Sequence, residues 1–125
     1  MPIRANRASS VRRTETEIAV MTTLASPTQG DAGVLSMWQV EMRQGRCDPA
    51  HTVDSEQIWH VTRGELMIAV EQEPVRLAAG DTLVVPEVLS RRVTALTDVT
   101  AVVCGFGDAI VAVAGEAGTT PAWIA

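Results

Sequence analysis

The stretch that decides the fold is Gly45-Arg46-Cys47-Asp48-Pro49-Ala50-His51-Thr52-Val53-Asp54-Ser55-Glu56-Gln57-Ile58-Trp59-His60-Val61-Thr62-Arg63-Gly64. Its second half alternates. Gln57, Trp59 and Val61 share one face, and Ile58, His60 and Thr62 share the other, because successive side chains of a strand point to opposite faces. Arg63-Gly64 then breaks the run as a turn.

The same pattern continues in both directions. Upstream, Val34–Met42 alternates, with Trp38, Val40 and Met42 on one face. Ile18–Leu24 reads as a further strand, one that reaches a neighbouring subunit and covers a sheet edge. Downstream, Glu65–Glu71, Val75–Ala78, Thr82–Val85, Arg91–Leu96, Val99–Cys104 and Ala109–Ala114 follow as strands. Glu73-Pro74 and Ala79-Gly80-Asp81 are the expected turns between them. Short strands separated by regular turn signals predict an all-β sandwich or closed barrel. No stretch shows a 3.6-residue helical period.

The totals agree with one such domain. The chain has 125 residues, 46% of them hydrophobic, and a formal net charge of −5. That length supports a single core. The acidic balance argues against nucleic acid as a partner, since phosphate binding needs a basic face. Basic residues concentrate only at Arg4, Arg7, Arg12 and Arg13. We read residues 1–17 as a disordered basic tail and residues 18–125 as the barrel domain. No apolar run is long enough to span a bilayer, and no apolar segment follows the arginines as a signal peptide requires. A cytoplasmic location is expected, with Cys47 and Cys104 as free thiols.

Two motifs now stand in order. Gly45, five residues, His51, one residue, Val53, three residues, Gln57, six residues and Gly64 reproduce the spacing of the first motif of the cupin superfamily. Gly80 through Ala95 resembles its second motif, matching at Gly80 and Pro86. Val88, Arg91 and Ala95 stand where that motif has Gly, His and Asn. The resemblance covers roughly residues 34–104. It implies a single-domain double-stranded β-helix, or jelly-roll barrel, and a homodimer. Met21–Pro27, Asp54–Trp59 and Pro121–Ala125 resemble a subgroup of short actinobacterial cupins, which implies a place in secondary metabolism.

In metal-binding cupins, the four ligand positions correspond to His51, Val53, Gln57 and Arg91. Valine has no donor atom, and arginine stays protonated and cannot ligate. Gln57 offers only a neutral carbonyl oxygen. No cofactor is therefore expected; if a metal were held, His51 and Gln57 would hold it. Cys47, Asp54, Glu56 and His60 are further donors nearby, with Glu56 and His60 on the outer face by alternation.

What remains is an apolar pocket with a few polar groups. Trp38, Val40, Met42, Val53, Trp59 and Val93 are the expected substrate-binding wall. Such a lining suits a small hydrophobic or aromatic molecule. His51, Gln57 and Arg91 are the candidate catalytic set. His51 is the natural acid or base, Gln57 orients a carbonyl, and Arg91 binds a carboxylate or an enolate. Arg92 takes the place of Arg91 if the register slips by one residue. The expected chemistry is isomerisation, dehydration or cyclisation of a hydrophobic carbonyl compound. A non-catalytic ligand-binding cupin and a metal-dependent dioxygenase or isomerase with unusual ligands are the alternatives.

Overall fold

In the computed structural model, residues 3–125 are described. Eleven strands carry the fold, and no helix occurs among these residues. They are β1 (Arg12–Glu15), β2 (Val20–Ala25), β3 (Leu35–Met42), β4 (His51–Val53), β5 (Gln57–Arg63), β6 (Glu65–Val70), β7 (Glu73–Ala78), β8 (Thr82–Val85), β9 (Arg91–Ala95), β10 (Val99–Phe106) and β11 (Val111–Val113). A six-stranded sheet runs β1-β2-β3-β10-β5-β8, and a five-stranded sheet runs β11-β4-β9-β6-β7. All pairings are antiparallel.

The predicted alternation fixes which residues fill the interior. On β5, Gln57, Trp59 and Val61 are buried while Ile58, His60 and Thr62 are exposed. On β3, Ser36, Trp38, Val40 and Met42 are buried. Val61, Ile68, Val85 and Val103 are wholly inaccessible and tie the two inner faces into one core. Small barrels fill their interior with side chains in this way.

Three details depart from the expected layout. First, β2 pairs with β1 on one side and β3 on the other. Both its edges are used within its own chain, which leaves it no free edge for strand pairing with a neighbouring barrel. Second, Arg12–Glu15, inside the stretch read as a tail, forms the edge strand β1. Arg12 donates to the main-chain oxygens of Ala122 and Ala125, at 2.6 and 2.9 Å, and to Thr28 Oγ1 at 2.6 Å. It thereby ties residues 121–125 against β2, where Thr23 Oγ1 donates to Trp123 O at 2.8 Å. Third, the β6–β7 hairpin turns at Glu71-Gln72 rather than Glu73-Pro74. Both residues have positive φ, 48° and 69°, the backbone a two-residue primed turn requires. Pro74 instead lies in β7, an edge strand, where a missing N–H is tolerated.

The β8–β9 loop carries visible strain. Val88 has φ 69°, uncommon for a β-branched residue. It occupies the position where the second cupin motif has glycine, and its N–H donates to Val53 O at 2.8 Å. Its side chain is exposed and packs little. Val88→Gly should therefore raise stability by about 1 kcal/mol, relief of left-handed strain outweighing glycine's added unfolded-state entropy. Chemical denaturation of the two proteins measures this. A less stable Val88→Gly would show that the valine side chain holds the loop.

Candidate functional site

A cavity of about 340 Å³ lies between the two sheets. That volume is at the small end of the range used by small-molecule sites, roughly 300–1,000 Å³. All six expected wall residues line it: Trp38, Val40, Met42, Val53, Trp59 and Val93. His51 and Gln57 line it too. The period-two alternation of β3 and β5 places Trp38, Val40, Met42, Gln57 and Trp59 there, because the face that fills the core is also the face that walls the cavity.

Arg91 is placed differently from expectation. It turns inward and is 1% exposed, while Arg92 is outward. Yet its guanidinium is not part of the cavity wall. It is spent on the β8–β9 loop, where Nε donates to Leu89 O at 3.2 Å and Nη2 donates to Pro86 O and Leu89 O at 3.0 Å each. Nη1 is buried without a partner. Burial pushes the pKa of this guanidinium down from its ordinary value. Arg91 thus sits behind the wall as a fixed positive charge.

The imidazole of His51 is held at one nitrogen. Nδ1 lies 3.0 Å from Pro49 O and 3.6 Å from Asp48 Oδ2. Both neighbours are acceptors, so in the neutral ring Nδ1 carries the proton and the lone pair is on Nε2. A ring fixed in this tautomer is arranged to take a proton at Nε2.

Asp48 is the site residue that the sequence pattern did not single out. It lines the cavity, and its Oδ1 accepts from Val93 N at 2.7 Å. Burial raises its pKa above the ordinary 3.8, opposed by the His51 imidazole, the Val93 N–H and the Arg92 guanidinium. The native state therefore disfavours the ionised form. The stabilising contribution of the protonated acid is full below about pH 3.8 and is lost as the pH rises through the folded pKa. Asparagine at this position keeps an acceptor for Val93 N–H and removes the charge. Asp48→Asn should melt above the wild type at pH 7, and the gap should close towards pH 3.8. Thermal unfolding across a pH series checks this; a variant that melts lower at pH 7 contradicts it.

Other walls were also missed. Met21, Val111, Val113, Trp123 and Ile124 add to the apolar lining. Trp123 and Ile124 belong to the segment tied down by Arg12 and Thr23, and Ile124 is 1% exposed. The remaining candidate donors lie elsewhere. His60 is exposed, with Nδ1 2.7 Å from Thr82 Oγ1. Cys47 Sγ accepts from Arg92 Nε and from Thr94 Oγ1, each at 3.1 Å. Both cysteines are free. A second depression of about 670 Å³ runs beside Arg13, Glu15, Glu41, Arg43, Arg46, Arg63 and Asp98. It contains neither His51 nor Gln57, and its charges of both signs suit solvent better than a buried ligand.

The metal that the cupin motif implies does not fit these residues. Val53, 1% exposed, puts an alkyl group at the second ligand position, and Arg91 puts a cation at the fourth. A fixed positive charge disfavours a divalent ion nearby. No group of three or more His, Cys, Asp or Glu side chains converges among the described residues. No helix is long and apolar enough to cross a membrane among them either.

Solved structures were found with the same architecture. An RmlC-like cupin from Shewanella frigidimarina is 17% identical, with a TM-score of 0.69 over 82% of this chain and 87% of that one. KdgF from Halomonas sp. is 20% identical, with a TM-score of 0.69 over 81% and 90%. Salicylate 1,2-dioxygenase from Pseudoaminobacter salicylatoxidans, in an adduct with gentisate, is 16% identical with a TM-score of 0.71. It matches 84% of this chain but only 31% of its own length. No family model and no curated protein matches the chain. With two antiparallel sheets, no helix among the described residues and these structural neighbours, the chain has the fold of a single-domain cupin jelly roll.

Proposed function

We propose that the barrel is a metal-independent enzyme that moves a proton on a hydrophobic carbonyl compound, as in isomerisation, dehydration or cyclisation. The observation that carries this reading is His51, fixed as the Nδ1–H tautomer on an apolar cavity that also holds Gln57. Nε2 takes the proton from the carbon next to the substrate carbonyl. The electron pair of that C–H bond becomes a carbon–carbon double bond and the carbonyl π pair moves onto the oxygen, giving an enolate. The Gln57 amide N–H donates to that oxygen. The proton then returns from Nε2 to a different carbon, or leaves with a hydroxyl as water. Trp38 and Trp59 supply flat apolar walls for the body of the substrate. Asp48, beside Nδ1, supports the imidazolium while it exists.

The first half of that cycle is testable without the natural substrate. In D₂O the protein should speed replacement of the α-hydrogens of an apolar ketone such as 4-phenyl-2-butanone by deuterium, followed by proton NMR. No acceleration over buffer, with the ketone bound, would leave a barrel that binds such molecules without reacting them.

A further inference from the structure

The described residues contain three buried side-chain polar atoms with no hydrogen-bond partner: Ser36 Oγ, Trp59 Nε1 and Arg91 Nη1. All three side chains are on inward-facing positions, of β3, β5 and β9. Buried polar groups are ordinarily paired, so three orphans facing one interior point to a missing partner. Two of the three are donors only. What they lack is an acceptor.

Each of the three can be placed relative to Gln57 along the strands. Ser36 pairs across the sheet with Gly105, and a Cβ on Gly105 would lie 3.4 Å from Gln57 Cγ and 3.7 Å from Trp38. Trp59 is two residues along β5 from Gln57 and lines the same cavity. Arg91 Nη2 reaches Pro86 O, one residue beyond Val85, and Val85 is the cross-strand partner of Gln57. The guanidinium has no acidic partner: its hydrogen bonds go to neutral carbonyls. Gln57 is itself 4% exposed and lines the cavity. Gln57 and Trp59 thus bring amide and indole N–H groups to the wall of an otherwise apolar cavity, and the uncompensated charge of Arg91 is buried behind that wall. The one acid on the cavity, Asp48, is hydrogen-bonded to Val93 N, two residues along β9 from Arg91, and its ion-pair contact is with His51 rather than with that guanidinium.

We infer that the cavity takes an apolar carboxylic acid in its ionised form, its carboxylate accepting from Trp59 Nε1 and Gln57 under the charge of Arg91. This rests on the proton-transfer reading and narrows it, since the substrate then carries a carboxylate as well as a carbonyl, as an apolar oxo acid does. A carboxylate meets both needs of this wall, an acceptor for the orphaned donors and a counter-charge for the guanidinium.

Calorimetric titration at pH 7.5 with 4-phenylbutyrate and with its uncharged amide, 4-phenylbutyramide, tests it. Wild type should bind the acid at least tenfold more tightly than the amide. Arg91→Met should bring the two within about threefold of each other, and Arg91→Lys should restore most of the preference. Trp59→Phe should weaken the acid fivefold or more, and the amide less. Equal affinities in the wild type, binding of neither, or an unchanged ratio in Arg91→Met would overturn the inference. Should Arg91→Met not fold, the wild-type ratio and the Arg91→Lys and Trp59→Phe proteins decide it. Binding alone is read here, so its failure is separable from failure of the proton-transfer reading: an acid-selective barrel that exchanges no ketone hydrogens is a carboxylate-binding module.

Discussion

His51→Ala should lower the α-hydrogen exchange rate of a bound ketone by about 10²–10⁴-fold, the span attributed to a positioned acid or base. Apolar affinity should change little, because the cavity keeps the walls formed by Trp38, Val40, Met42 and Trp59. The fold should also persist. The polar contacts of the imidazole are to Pro49 O and Asp48, both in the segment just before β4. The expected signature is thus a fallen rate with unchanged ketone affinity, which marks loss of an interaction made in the transition state. His51→Gln separates polarity from proton transfer: it fills much of the same space with a neutral amide and should remain as slow as His51→Ala. A slow variant whose ketone affinity falls in parallel would instead mean that His51 only packs the ligand.

The second large effect concerns stability. Gly64→Ala should destabilise the barrel by about 3 kcal/mol or more, enough to threaten folding of a marginally stable domain. Gly64 has φ +77°, and a Cβ built there would lie 2.0 Å from Asp98 O, a backbone atom that cannot step aside. Left-handed strain alone costs about 1–2 kcal/mol, and the overlap adds to it by forcing the β5–β6 turn away from the Asp98 main chain. Gly80 provides the internal comparison. It too has positive φ, +95°, but open space where a Cβ would go. Gly80→Ala should cost only the conformational part, about 1–2 kcal/mol. Denaturant unfolding of both variants measures the difference; equal losses would show that the close approach at Asp98 carries no weight.

These glycines also show what could be read from the sequence. The first motif announced a turn at Gly64 and the second at Gly80, and the strands between them follow from alternation. The wall residues on β3 and β5 were legible for the same reason, since a period of two assigns every inward side chain once one is known. Asp48 was not, because it precedes β4 in an irregular segment where no period applies; its bonds to Val93, 45 residues away, hold it at the cavity. Trp123 and Ile124 were invisible as walls because their place depends on Arg12 and Thr23, about 100 residues upstream. Arg91 was half legible. Its inward face follows from β9, but its attachment to Pro86 O and Leu89 O depends on the shape of the β8–β9 loop, which Val88 takes in an unexpected conformation. The Glu71-Gln72 turn was missed because neither residue type signals positive φ, whereas the neighbouring Pro74 signals a turn that does not form there.

The account turns on acid–base chemistry proceeding at Nε2 of His51 with Gln57 and Arg91 in place of a coordination shell. The most direct test is the metal dependence of ketone α-hydrogen exchange in the full-length protein. Deuterium uptake should be unchanged after dialysis against chelator, and unchanged again when iron(II), manganese(II), nickel(II) or zinc(II) is added in stoichiometric amount. Exchange that disappears with chelator and returns with one of these ions would contradict it.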